Sequence, residues 1–211
     1  QQDGRLNTAE VTRLRGELSK LYRETMTPVI RPAAHLLSTL DSRQIEELRN
    51  TLADQNLEWK EESLDGSDQE NLDKRAERTI DFVEGLVGSL SGEQEEKIRE
   101  MSLRLPFVTR HFIEHREANQ AGLIALLSNH AGEDKIAAFL SLWINSPEAA
   151  RTPQQQQVFQ SYENATDEIT ARIYELLTDR QKNRLRKKLL SYIEDLQNLS
   201  AATRTVGAAP E

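Results

Sequence analysis

A chain of 211 residues with 37% hydrophobic, 29% charged and only 5% aromatic residues has a thin apolar supply, which long helices with one apolar stripe use more economically than a compact globule does. Its formal charge of −8 disfavours general nucleic-acid binding, because duplex affinity depends on basic groups that displace counterions. The absence of cysteine excludes a disulfide framework, a thiolate metal site and a cysteine nucleophile, and no apolar run approaches the roughly 18 residues of a membrane span.

The chain opens Gln1-Gln2-Asp3-Gly4 with no initiator methionine and no visible signal peptide, so a processed or truncated piece is expected. The first helix starts near Asn7, with Glu10 completing a cap, and carries Val11, Leu14, Leu18 and Leu21 at heptad spacing. Pro28 and Pro32 are expected to kink or end it, leaving a short connection through Leu36, Leu37 and Leu40. A second helix bears Ile45, Leu48, Leu52 and Trp59 and should run to about Leu64. After the turn Asp65-Gly66-Ser67-Asp68, Ser67 and Glu70 can cap a third with Leu72, Ala76, Ile80, Val83 and Val87, which Gly85 and Gly88 favour ending. The fourth passes Ile98, Met101 and Leu105 to Pro106, and the period then continues through Phe112, Leu123 and Leu127 until Gly132 breaks it.

A short helix with Ile136, Phe139, Leu140 and Trp143 follows, then the loop Asn145-Ser146-Pro147. Thr152 before Pro153 reads as a cap with proline at the first helical position, where it costs least. That helix carries Val158, Tyr162, Ala165, Ile169, Ile173 and Leu176. The last shows the cleanest stripe, Leu185, Leu189, Tyr192, Leu196 and Leu199. The expected fold is all-α, an elongated antiparallel bundle of about seven or eight helices. Residues 1–6 form a linker-like start, 7–202 the helical domain with a division into lobes 7–88 and 89–202, and 203–211 a frayed tail.

Three of these helices share a start signal: Leu40-Asp41-Ser42-Arg43-Gln44, Leu90-Ser91-Gly92-Glu93-Gln94 and Leu177-Thr178-Asp179-Arg180-Gln181. Each reads as a capping box. The short side chains of Asp41, Ser91 and Thr178 accept from an orphan amide, and Gln44, Gln94 and Gln181 reach back to the cap's own N–H. The boxes lie 50 and 87 residues apart, so they are a recurring start signal and not a fixed-period solenoid.

Charge is uneven. Asp41 to Asp73 holds eleven acidic and three basic residues, whereas Arg180, Lys182, Arg184, Arg186, Lys187 and Lys188 follow one another without an acid. The simpler reading is two solvated faces that attract each other across the bundle; the alternative is a basic patch for acidic lipid headgroups or an acidic client.

No phosphate-binding glycine loop, nucleophile elbow or dinucleotide fingerprint is present, so the sequence gives no indication of nucleotide-dependent or serine-hydrolase chemistry. One segment has a chemical pattern. His111-Phe112-Ile113-Glu114-His115 matches H-x-x-E-H, in which histidines four apart on a helix bind zinc and the glutamate is the general base. Such sites need a third ligand, for which Glu163, Glu168 and Glu194 are the helical candidates, and a mixed α/β scaffold that this sequence lacks. The favoured reading places His111 and His115 at the edge of a buried stripe, each satisfied by a carboxylate or water. His35 and His130 read as terminus or turn residues, and Trp59 and Trp143 as core or interface anchors. No E-x-x-H occurs, so a di-iron bundle is not indicated.

The boxes, each followed by an apolar residue four further on (Leu48, Ile98, Leu185), resemble the LTxxQ motif of the Spy-like periplasmic chaperones. In order and context the chain is more similar to the domain-of-unknown-function 6279 family of predicted bacterial envelope lipoproteins. The landmarks are Pro28 and Pro32 before Leu36, Leu37 and Leu40; Gln44-Ile45; Arg75 and Arg78; Gly88 before Leu90, Ser91 and Gln94; Leu105-Pro106; Arg116 and Gln120 before Leu126-Leu127; and Asp195-Leu196 with Leu199. The resemblance spans Leu6 to Leu199. It implies an all-helical envelope protein tethered by an N-terminal lipidated cysteine, which this chain lacks together with the family's Trp-rich opening segment. It supplies no catalytic residue and no cofactor.

The expected function is therefore non-catalytic: a client-binding, chaperone-like module whose partner is an unfolded protein. The alternative is a structural or adaptor lipoprotein with one specific envelope partner, and a metal-dependent hydrolase through His111, Glu114 and His115 is a distant third. Nucleic acid is not an expected partner, and membrane attachment would come only through the absent anchor.

Overall fold

A computed structural model describes residues 6–206 and contains eight α-helices and no strand among them. They are α1 (Thr8–Ser38), α2 (Ser42–Leu64), α3 (Asp68–Val87), α4 (Gly92–Leu103), α5 (Thr109–Ser128), α6 (Glu133–Asn145), α7 (Pro153–Leu176) and α8 (Asp179–Val206), with a 3₁₀ turn at Pro147–Ala150. The chain divides into two compact units, each assembled from separated stretches. One comprises Gln1–Val11, Leu72–Arg104 and Asp167–Glu211; the other comprises Thr12–Asn71 and Leu105–Thr166. The lobe boundary expected near residue 88 therefore falls inside the first unit. A split into consecutive halves assumes that neighbours in sequence pack together, and here α4 instead packs with the chain's last helices.

Helix starts follow local side-chain chemistry. Asn7 Oδ1 accepts from Glu10 N–H at 3.0 Å while Glu10 accepts from Asn7 N–H at 3.0 Å. The same reciprocal pattern links Ser67 with Glu70, and Thr152 with Gln155 immediately before Pro153. Each box satisfies amides that the first turn cannot pair internally.

Three sequence expectations about helix ends change. Pro28 and Pro32 neither end α1 nor open a connection; the helix continues to Ser38. Both prolines sit at exposed positions, so the carbonyls they leave without an amide donor can bond to water. Ile30, between the prolines, and Ala34, just past them, are buried in the core of the second unit, and this packing holds the helix together. The expected break at Gly132 arises instead at His130, which takes the left-handed φ of 50°. His130 N–H donates to Leu127 O at 2.9 Å and Ala131 N–H to Leu126 O at 3.0 Å, a Schellman ending with histidine where glycine is usual. Gly132 then serves as N-cap of α6. At the other end of the chain, α8 extends through 203–206, four residues into the expected tail, while 207–211 and 1–5 lie outside the described residues.

The core of the second unit gathers Ile30 and Ala34 of α1, Ile45 of α2, Leu123 and Leu127 of α5, and Ile136, Ala137 and Leu140 of α6. Trp143 packs on this cluster, its ring 6.0 Å from Phe139 in an edge-to-face contact. A polar rim closes α1 on α6: Arg31 meets Asp134 at 2.6 Å, and His35 Nδ1 lies 2.9 Å from Glu133. The core of the first unit gathers Ile80, Val83 and Val87 of α3, Ile98 of α4 and Leu177 ahead of α8, with Leu90 and Leu185 packed against it.

Candidate functional site

The capping boxes do more than start helices in the first unit. Ser91 N–H donates to Gln94 Oε1 at 3.0 Å and Thr178 N–H to Gln181 Oε1 at 2.9 Å, as the motif requires. The two glutamine side chains then bond to each other. Gln94 Nε2 donates to Gln181 Oε1 at 3.0 Å and Gln181 Nε2 to Gln94 Oε1 at 3.1 Å, closing a cyclic amide pair. Their remaining N–H groups are satisfied reciprocally: Gln94 donates to Leu176 O at 2.8 Å and Gln181 to Ser89 O at 3.0 Å. Leu176 is the last residue of α7, so one glutamine starts α4 and also caps an orphan carbonyl of another helix. Gln94 and Gln181 are only 9% and 8% exposed, which makes full satisfaction of their polar atoms an energetic requirement. The leucines preceding both boxes and the apolar residues four beyond both glutamines lie in or against one core cluster.

The box at the start of α2 has the same internal geometry. Asp41 N–H donates to Gln44 Oε1 at 3.0 Å and Gln44 N–H to Asp41 Oδ1 at 2.8 Å, but Gln44 is exposed.

The histidine segment lies on α5 in the second unit. His115 Nε2 is 3.0 Å from Pro147 O, an acceptor, and Nδ1 is 2.7 Å from Asn119 Nδ2, a donor. These partners define a neutral ring with its proton on Nε2 and no free lone pair for a metal. Partial burial, helped by the positive charge of Arg151, pushes the His115 pKa below the ordinary 6.5 and favours that same neutral form. Phe159 packs edge-on to His115 and Phe112, and the Arg151 guanidinium lies 4.2 Å from its ring centre. His111 Nδ1 lies 3.4 Å from Glu114 without a hydrogen bond to it. The proposed third ligands are engaged elsewhere or exposed: Glu163 pairs with Arg15 at 3.0 Å, Glu168 with Arg172, and Glu194 is exposed. Among the described residues no group of three acidic, histidine or cysteine side chains is arranged to hold a metal ion.

Two features were not singled out from sequence. The first is an open groove of about 580 Å³ between α2 and α5, floored by Leu52, Ala53, Leu57, Ala121 and Ile124. At its base the buried Asn56 Nδ2 donates to buried Gln120 Oε1 at 2.5 Å, and Lys60 meets Glu117 at 2.6 Å. The signal was present, because Asn56 follows Leu52 and Gln120 precedes Leu123 at stripe spacing, so both amides occupy apolar positions. A buried polar residue in a stripe is a known way to set helix register. The second feature is apolar exposure on α1, where Leu14, Leu18, Leu21 and Tyr22 are 42%, 64%, 39% and 56% exposed.

The charged runs also differ from the simpler expectation. Arg43 and Arg49 of the acidic stretch pair with Glu47 and Glu46 one turn away. None of the six bases from Arg180 to Lys188 has a carboxylate within 4.0 Å among the described residues; Lys182 and Lys188 instead lie over Tyr174 and Tyr192.

The fold and these sites define an all-helical protein with buried amide pairs and uncovered apolar helix faces. The chain belongs to the family of unknown function DUF6279, whose model matches residues 1–149. That span includes the boxes at Asp41 and Ser91 and stops before the one at Thr178. No curated protein and no solved structure matches the chain.

Proposed function

We propose that this protein is a non-catalytic, client-binding module of the bacterial envelope, chaperone-like in action, that holds apolar segments of other proteins against its uncovered helix faces. The observation that carries the reading is the first part of α1. Val11, Leu14, Leu18 and Leu21 repeat at alternating steps of three and four, the pattern of a helix seam, yet the three leucines stay substantially exposed. A surface helix ordinarily turns such a stripe into its core, and a contiguous exposed stripe is a marker of protein binding. Envelope placement and tethering through a lipid anchor rest on the resemblance to the family of predicted envelope lipoproteins, and the chaperone-like action on the similarity of the Leu-Ser/Thr/Asp-x-x-Gln boxes to periplasmic chaperones.

The test is suppression of aggregation of a chemically unfolded client, titrated to stoichiometry, with an inert acidic helical protein as control. Suppression near equimolar ratio that weakens in Leu14→Ser/Leu18→Ser/Tyr22→Ser supports the reading. No effect beyond the control sinks it.

A second reading, a specific adaptor, is favoured by the α2–α5 groove. Its apolar floor between Arg49 and Lys60 suits one amphipathic partner helix better than varied unfolded chains. It predicts a single stable partner whose capture is lost in Leu57→Glu, with no effect on unfolded clients.

A further inference from the structure

We propose that α8 docks the protein on an anionic lipid bilayer, through a cationic collar at Arg184, Arg186, Lys187 and Lys188 and the uncovered apolar residues that follow it. Every residue from Arg186 to Asp195 is exposed, so this part of α8 projects beyond the packing that covers Gln181 and Leu185. Leu189, Leu190, Tyr192 and Ile193 are nonetheless apolar, at 47%, 54%, 47% and 46% exposure. Leu189, Tyr192 and Ile193 continue the stripe that begins at Leu185, and in the first unit nothing among the described residues covers them.

The charge on the collar indicates the occupant. Successive helix residues are about 100° apart, so the consecutive bases Arg186, Lys187 and Lys188 ring the helix and two of them flank the apolar stripe. Their long stems can lie along apolar surface while the cations reach phosphates. Arg180, Arg184 and Lys187 with Asn183 also line an open concavity of about 540 Å³, and these bases have no carboxylate partner among the described residues. In a chain of net charge −8 such a run is a local reversal of sign. An apolar stripe beside unpaired cations fits a surface that is anionic outside and apolar just beneath, which is the composition of a bilayer interface. Nucleic acid would meet the cations and leave the leucines in water. A second copy of α8 would cover the leucines and bring like charges together.

The experiment is co-sedimentation of the whole chain with large unilamellar vesicles of phosphatidylcholine alone or with about 30% phosphatidylglycerol, a fraction that gives a strongly negative surface. Binding is expected only with phosphatidylglycerol, and should fall as salt is raised from about 0.1 M to 1 M, where screening shortens from about 10 Å to about 3 Å. Arg186→Gln/Lys187→Gln/Lys188→Gln should weaken partitioning about 100-fold, at about fivefold per base. Leu189→Ser/Ile193→Ser should weaken it roughly tenfold or more through lost apolar insertion. All substituted side chains are exposed, and circular dichroism checks that helicity is kept. Equal binding to pure phosphatidylcholine, no binding to either vesicle, or full binding by the folded triple variant would overturn the proposal. So would loss in the charge variant with full binding in the serine variant, which would mark a soluble-polyanion site, or a dimer that Leu189→Ser/Ile193→Ser dissolves while vesicle binding persists.

Discussion

The same five-residue start signal is used in two ways in this molecule. In one compact unit Gln94 and Gln181, each bonded to its own cap, turn toward each other and become a buried, fully satisfied amide pair. In the other, Gln44 completes its box and remains exposed. The local chemistry is shared and the energetic role is not, because a capping hydrogen bond at the surface competes with water whereas a buried one cannot be replaced by it. The unit that holds the lone box has a second buried amide contact, Asn56 with Gln120, but it is a single hydrogen bond, and Asn56 Oδ1 is buried without a partner among the described residues.

The largest test of this comparison is Gln94→Ala against Gln44→Ala. Removing Gln94 leaves Ser91 N–H and Leu176 O without partners and takes from buried Gln181 its two bonds to Gln94, though Gln181 keeps Thr178 and Ser89, and should cost about 3 kcal/mol in denaturant unfolding. Gln44→Ala should cost about 0.5 kcal/mol, since Asp41 still caps the helix. Gln94→Ala/Gln181→Ala should cost less than the sum of the single changes, by about 1 kcal/mol or more; strict additivity would show that the pair is not coupled.

Asn56→Ala is next. It removes the donor to Gln120 Oε1 and should cost about 2 kcal/mol, whereas Asn56→Leu/Gln120→Leu should be close to neutral because both buried polar groups go together. Loss of a single well-dispersed NMR spectrum in that double variant would identify the amide pair as a register device. A large loss of stability would instead place its importance in energy.

A smaller effect, opposite in sign, is expected at the end of α5. His130→Gly should stabilise the protein by about 1 kcal/mol in thermal unfolding, because glycine adopts the left-handed φ without the β-carbon penalty. An unchanged or lower midpoint would mean that the imidazole contributes contacts that offset its strain.

The mildest effect is in pH. The folded-state pKa of His115 is depressed, so the folded protein holds fewer protons on this ring than the unfolded chain does. Its contribution to stability is complete above the unfolded value near 6.5 and is lost as pH falls below it toward the folded value. His115→Asn should flatten that slope between about pH 7 and 5, and an unchanged slope would assign the pH dependence to other groups.

Sequence periodicity and cap chemistry were sufficient for the all-α class, the eight helices and most of their starts, because a capping box is written within four residues and an apolar stripe within one helix. Beyond their own helices, the partners of Gln94 lie 82 and 87 residues away, and those of Asn56 and His115 lie 64 and 32 residues away, so no local pattern could pair them. Pro28 and Pro32 misled for the same reason. Proline's local cost is visible in the sequence, but the burial of Ile30 and Ala34 that carries α1 past it is not. Likewise H-x-x-E-H specifies two histidines on one helical face; Asn119 lies one turn on along the same helix, but only the approach of Pro147 decided that His115 is a packed neutral ring. By itself the sequence determined where helices begin and which faces are apolar, since both follow from contacts within a few residues. Tertiary structure alone decided which glutamines are buried, which stripes stay uncovered on α1 and α8, and which charges find no partner, since each depends on contacts between segments far apart in the chain.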